Sequence, residues 1–405
     1  MSEAGTGAAP APSGPRRRRP RDRKAQILTV AAEAFSERGY HAVGIDDIAE
    51  ALDISGPALY RHFPTKYAMF VHTVMRLTGI LLTATDPVES AQEITPQERL
   101  DAVMTAIIEA TIDNRRTGGL YRWEARYLLA EDRVALLDAV TVLNQRVREP
   151  LMQLRPELGA RDAATVTAAA VSVVASITAH RSVLSAKQIG ALLLDTTRGV
   201  LATELPSGEG EVAPPTLPDL EPNTKREVLL YEAIRLFYRS GYHNVSIEEI
   251  GAAAGINASG VYRHFAGKAD VLAAAFHLAG ERLTVTVDAA LAESGTPEQA
   301  IEELVRLYVE LSFQRSELMA VYFAEVGNLP REQRSALRGV QRVNIENWAD
   351  LVRDARPEIG AVQARFLVHA ALGLVFDMGR LAHFDLTPGS AAYVRRLMHA
   401  TLMGF

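Results

Sequence analysis

The sequence predicts an all-α protein built from two tandem units. Three observations carry that expectation: a helix-favouring composition, a motif that recurs at a fixed offset, and a proline-rich break midway along the chain. Of 405 residues, 48% are apolar, with Ala, Leu, Glu and Arg abundant and glycine and proline gathered in clusters. LYRHF at 59–63 returns as VYRHF at 261–265. An ungapped register of 35–66 on 237–268 gives fourteen identities in 32 positions, among them Gly39, Tyr40, His41, Ile45, Ile48, Tyr60 and Lys66. The similarity continues at an offset of 201: RPELG at 155–159 matches RPEIG at 356–360, and Tyr121, Glu124 and Arg133 match Tyr322, Glu325 and Arg334. The whole unit is therefore repeated, not only its first part.

Each copy begins with the same run of short helices. Residues 23–38 carry apolar side chains at Ile27, Val30, Ala31, Ala34 and Phe35, a helical spacing, and Gly39 ends that helix. Residues 45–52 form a second helix with Ile45, Ile48 and Ala49 inward. Ser55 is placed as the N-cap of a third over 56–63, Pro64 closes it, and Lys66 opens a long fourth. In the second copy Ser246 and Glu249 have capping-box spacing and Asn257 caps the third helix. Two short helices crossing at a tight turn need a small residue at the crossing, which Ala49 and Gly251 supply. The turn needs a residue that accepts positive φ, which Gly255 does freely and Asp53 at some cost. This is a helix-turn-helix, whose second helix enters a DNA major groove.

The boundaries follow. Residues 1–20 are expected to be a disordered basic arm, 21–82 the first helix-turn-helix domain and 83–205 the first helical regulatory domain. Residues 206–223, with five prolines, form a linker. Residues 224–283 form the second helix-turn-helix domain and 284–405 the second regulatory domain. At about 3.1 Å per residue the linker spans roughly 55 Å, enough for the units to lie side by side.

Several classes are disfavoured. The chain has no cysteine, so disulfides, thiolate catalysis and cysteine-based zinc sites are excluded. The ten histidines show no metal-binding spacing, and no phosphate loop or nucleophile elbow occurs, so no enzyme, metal or cofactor is expected. No charge-free apolar stretch of 18 residues occurs, 166–178 coming nearest, so a cytosolic protein without a membrane partner is expected. Net charge is −6, yet residues 16–24 hold seven bases and one acid. Beside a helix-turn-helix, Arg18, Arg19 and Arg21 become candidates for a phosphate or minor-groove arm.

Residues 35–66 and 237–268 resemble the DNA-binding domain of the TetR family of transcriptional regulators. The resemblance is carried by F-x-x-x-G-Y, by I-x-x-I followed by Ala or Gly, and by Y-R-H-F followed by Lys. It implies a double-stranded DNA operator as partner. It implies phosphate contacts from Tyr60, Tyr262, Lys66 and Lys268, and from Ser246, where the first copy has Gly44. Arg61, His62, Arg263 and His264 complete the candidate DNA-facing motif. Base reading is expected from Ser55, Gly56, Pro57 and Ala58 in one copy and from Asn257, Ala258, Ser259 and Gly260 in the other. Gly56, Pro57 and Ala58 offer shape and methyl contacts, whereas Asn257 and Ser259 offer hydrogen bonds unless Asn257 is consumed as a cap, so the two helices are expected to read different half-sites. The expected assembly is a single-chain pseudo-dimer on an asymmetric operator.

The resemblance further implies helical C-terminal domains that bind a small effector and pair through their last two helices. The apolar, small-residue stretches 162–180 and 361–383 are the candidate pairing faces. Tyr121, Trp123, Glu124 and Tyr127, with Tyr322, Phe323 and Glu325, are the candidate effector residues, apolar walls with a polar anchor; the alternative is ordinary core. A repressor released by a lipid-like effector is expected. The alternative is a constitutive DNA-binding scaffold.

Overall fold

The computed structural model describes residues 23–206, 222, 224–385 and 388–404. Among these, regular structure is helical throughout. The basic arm with Arg18, Arg19 and Arg21, and nearly all of the linker, lie outside the described residues. In unit one, α1 (Arg23–Arg38), α2 (Ile45–Ala51) and α3 (Gly56–Tyr60) form the helix-turn-helix domain, here termed a reader. Then follow α4 (Lys66–Glu89), α5 (Pro96–Asp113), α6 (Leu120–Trp123) with a 3-10 turn at Glu124–Tyr127, α7 (Ala130–Leu154), α8 (Ala160–Ala175) and α9 (Ala186–Ala202). Unit two repeats the order: α10 (Lys225–Ser240), α11 (Ile247–Ala253), α12 (Ala258–Val261), α13 (Lys268–Glu293), α14 (Pro297–Gln314), α15 (Ser316–Ala324), α16 (Arg331–Ala355), α17 (Ala361–Leu381) and α18 (Pro388–Met403).

Local chemistry explains the helix ends. Thr95, Ser185, Thr224 and Ser246 each accept the N3 amide while the N3 Glu or Gln accepts theirs, so four helices open on reciprocal capping boxes. Helix α3 is shorter than the expected 56–63. Its chain turns at Arg61, and the amides of His62 and Phe63 both fold back on Leu59 O. The repeated RPELG/RPEIG break does more than end a helix. Arg155 donates to Leu201 O and Thr203 O at 2.8 and 3.1 Å, and Arg356 donates to Leu402 O at 3.1 Å. Each arginine thus satisfies the orphan carbonyls at the C-terminus of its unit's last helix.

Among the described residues, three cores hold the fold together. One sits inside each reader, around Phe35, Phe63 and Phe70 in unit one and Phe237, Phe265 and Phe276 in unit two. The third is continuous across both regulatory domains, running from Leu77 through Val200 to Leu402. Helices α4 and α13 pass from a reader core into the shared core. The change falls between Val74 and Leu77 in unit one and between Ala279 and Val287 in unit two. Across the units α8 packs on α17 and α9 on α18, and within them α8 packs on α9 and α17 on α18. By length and composition α4, α17 and the run Ala160–Thr178 are apolar enough to cross a membrane. The last two bury most of that apolar surface against protein. Their alanines and glycines allow this close approach.

Candidate nucleic-acid interface

In both readers the crossing of the helix pair takes a small residue, and in the second it leaves no room for a side chain. A Cβ on Gly251 would stand 2.9 Å from Ile256 O and 3.1 Å from Val261 Cγ2. Ala49, its counterpart, is 3% exposed and fits. The turn residues lie in the left-handed region, Gly255 at φ +71° and Asp53 at +54°, as the sequence requires.

The turn presents one exposed strip in each reader. Ser55, Pro57, Tyr60, Arg61 and His62 are exposed, with Gly56 and Ala58 half-buried. In unit two Asn257, Ser259, Tyr262, Arg263 and His264 are exposed, with Ala258 and Gly260 half-buried. Tyr60 and Tyr262 are 50% and 55% exposed. Phe63 and Phe265, by contrast, are buried in the reader cores. Lys24 lies 5.3 Å above the Phe63 ring and Arg226 4.7 Å above that of Phe265.

The polar groups are not equally available. Asn257 Oδ1 accepts the Gly260 amide at 2.9 Å and the Ser259 hydroxyl at 2.8 Å, so cap and neighbour satisfy each other. Ser55 is an N-cap by position but makes no side-chain cap bond. The Ser246 hydroxyl exchanges bonds with Glu249. Gly44 lacks that hydroxyl, and its amide is taken by Asp47, which also pairs with Arg38 at 3.3 Å. Lys268 Nζ donates to Tyr242 O at 2.8 Å and Val245 O at 2.7 Å and lies 4.4 Å above the Tyr242 ring. Lys66 lies 4.4 Å above the Tyr40 ring. Burial holds both lysines below the ordinary ammonium range. Here the two ammonium groups brace the loop before the second helix; a phosphate would draw Lys268 off its carbonyls.

The predicted effector residues meet one another where the units join. The Trp123 ring stacks on Phe323 at 5.5 Å and 9°, and both contact Phe376. Tyr322 packs edge-on against Phe323, and Tyr121 lies against both the shared core and the first reader's core. The glutamates are occupied. Glu124 Oε2 accepts the Tyr40 amide at 2.7 Å, and Glu325 Oε1 accepts the equivalent Tyr242 amide at 3.1 Å. Each carboxylate thus ties a regulatory domain to its own reader. Burial raises the Glu124 carboxyl above the usual range. Two shallow clefts, of about 290 and 410 Å³, open beside Phe276 and Val340 and beside Pro87 and Ile94; none of the seven residues lines either.

Sequence reasoning missed four cross-unit contacts. Arg122, with a side chain 3% exposed, donates to Asp377 at 2.6 Å, and Ser172 donates to the same oxygen. Arg126 pairs with Glu325 through both terminal nitrogens, at 2.7 and 3.0 Å. His180 stacks on His369 at 4.1 Å and 4°. His41 and His243, equivalent in the repeat, meet at 4.6 Å. Arg122 and Arg126 fall where the repeat breaks its own pattern, opposite Phe323 and Gly327. Those mismatches were the available signal.

Residues 27–73 and again 229–275 match the model of bacterial regulatory proteins of the tetR family, and 294–380 match that of the tetracyclin repressor-like C-terminal domain. The HTH-type transcriptional activator FasR of Mycolicibacterium smegmatis is 37% identical over 97 residues, 24% of this chain and 42% of that protein. The matched segment is thus less than half of FasR. The HTH-type transcriptional repressor KstR2 of Mycobacterium tuberculosis is 31% identical over 147 residues, 34% of this chain and 71% of that protein. Among solved structures, a TetR-family transcriptional regulator from Bordetella parapertussis is 24% identical, with a TM-score of 0.41, covering 45% of this chain and 96% of that one. With the reader present twice, each time on a helical bundle, the chain belongs to the TetR family of DNA-binding transcriptional regulators, in a tandem form.

Proposed function

We propose that one chain acts as an internal pseudo-dimer and reads an asymmetric operator. The observation that carries this is the difference between the two exposed strips on otherwise matching readers. Gly56, Pro57 and Ala58 offer base edges small apolar surface beside the Ser55 hydroxyl, which makes no cap bond, whereas the second strip carries a bonded Asn257–Ser259 pair, with Ser259 where the first has Pro57. A symmetric pair of chains would present identical readers to a palindrome, whereas two unlike readers in one chain suit unlike half-sites. The shared core of the regulatory domains supports pairing within the chain. Tyr60, Arg61, His62, Tyr262, Arg263 and His264 then hold phosphates, and the two short helices read bases.

The regulatory bundles suit a repressor released by a lipid-like effector, since alanine, leucine and valine dominate their walls. Release is a shift between DNA-competent and incompetent populations. One observation favours the constitutive alternative: the predicted effector residues pack on one another and on the opposite unit.

The test is stoichiometry. Native mass measurement of the chain on DNA that it selects is expected to give one chain per duplex. Two chains per minimal duplex, at every protein concentration that binds, contradicts the internal pseudo-dimer.

A further inference from the structure

We infer that Arg126 and Glu325 form a one-sided clasp that fixes the second reader relative to the first, and so sets the half-site spacing the chain accepts. This rests on the pseudo-dimer reading above. The side chain of Glu325 is fully buried, and four donors converge on it. Oε1 accepts from Arg126 Nη1 at 2.7 Å and from the Tyr242 amide at 3.1 Å; Oε2 accepts from Arg126 Nη2 at 3.0 Å and from Asn328 Nδ2 at 2.6 Å. Asn328 Oδ1 in turn meets His243 Nε2 at 2.7 Å. Both residues at the Tyr242–His243 turn of the second reader are therefore held through a carboxylate whose salt-bridge partner, Arg126, comes from unit one. A planar bidentate pair in a desolvated setting tolerates little change of angle or distance.

The device is not mirrored. Glu124 holds the first reader's Tyr40 amide by the same bond. The position equivalent to Arg126 in unit two, however, is Gly327, which lies against the backbone of Arg38 and Gly39, with 3.7 Å from an added Cβ to Arg38 O. No arginine can reach Glu124 from there. Unit two also reaches the first reader, where Arg334 donates to Glu37 O at 3.3 Å at an exposed site, but no buried ion pair stands behind that bond; the second reader is held to both bundles through the buried Glu325 carboxylate. Arg126 also donates to Ala324 O and lies 4.6 Å over the Tyr127 ring, which anchors the guanidinium in unit one. Recognition helices must sit about one helical turn apart, roughly 34–36 Å, so a contact that fixes one reader against the other is a determinant of spacing.

The test uses the full chain and the DNA it selects from a random pool. That duplex is compared with versions whose central spacer is one base pair longer or shorter, and with a duplex carrying only the second half-site. The double variant Arg126→Ala/Glu325→Gln removes the arginine together with the charge it balances and leaves an amide oxygen for the Tyr242 amide. It is expected to bind the single half-site as the wild type does, to lose about tenfold on the full site, and to bind the three spacers nearly alike, because the readers no longer share one effective concentration. Arg126→Lys, which keeps the charge without the bidentate geometry, is expected to lose part of the spacer preference, and this second variant keeps the test open should the first not fold. Wild-type spacer preference in both variants, or in Arg126→Lys alone if the double variant is unfolded, overturns the clasp. A wild-type chain that occupies one half-site only overturns the pseudo-dimer reading itself, and that outcome appears before any variant is made.

Discussion

Gly251 and Ala49 stand at equivalent points of the two readers, where the helix pair crosses. The space above Gly251 is closed by Ile256 O and Val261, so Gly251→Val is expected to destabilise the second reader by about 1–3 kcal/mol through overpacking. Ala49→Gly only removes a methyl and stiffness from a helix, a loss of about 0.5–1 kcal/mol. Urea unfolding of both variants checks the contrast; equal losses would contradict it. Tyr60 and Tyr262 make a second residue-scale case. Replacing Tyr262 by Phe removes one outward hydroxyl, so binding should weaken several-fold, about equally on all sequences, as for a phosphate contact. A changed base preference would instead make Tyr262 a base reader. At this scale the sequence was informative wherever partners are neighbours in the chain: the Ser246–Glu249 box, the Asn257 cap, and positive φ at Asp53 and Gly255. It marked Arg122 and Arg126 only as breaks in the repeat and did not name Asp377 or Glu325, because partners 255 and 199 residues apart leave no periodic trace.

At the scale of elements, the segment that follows α8 meets α17 with two histidines, His180 and His369, face to face. Burial first, then His369, Arg115 and Arg181, hold His180 well below the ordinary imidazole range. Burial first, then Arg115 and Arg365, push His369 down to about 4. Both are neutral in the fold and take a proton near pH 6.5 once unfolded. Between those values the unfolded chain binds more protons, so stability is present above pH 6.5 and is lost as pH falls towards 4. From pH 7.5 to 5.5 each neutral histidine accounts for up to about 1.4 kcal/mol of that loss. His369→Phe should keep the stack and flatten the decline, which urea titrations at the two pH values would show; an unchanged slope would contradict the assignment. The sequence marked 162–180 and 361–383 as close-packing helices from their small residues. It gave no hint that histidines stack there, because a histidine on an apolar face reads the same whether it is stacked, bonded or solvated. The predicted effector residues were legible as a cluster but not as a cluster between units, since periodicity places a side chain on a face without naming the neighbour.

At the scale of the whole molecule, the repeat was legible from its fixed offset. What the offset does not encode is how the copies meet, which depends on where they differ. Those differences carry the account: an arginine opposite a glycine at the join, and two unlike strips facing outward. Writing residues 55–58 into positions 257–260 should make the readers alike and turn the preferred operator towards an inverted repeat of the first half-site. Retention of the original preference by that chimera would move base reading elsewhere. The most direct measurement is selection of bound DNA from a random pool by the intact chain at physiological salt, where phosphate contacts alone are weak. The account predicts two different half-sites recovered in fixed order and at fixed spacing. Recovery of a palindrome would contradict it, since two chains would then be pairing like readers.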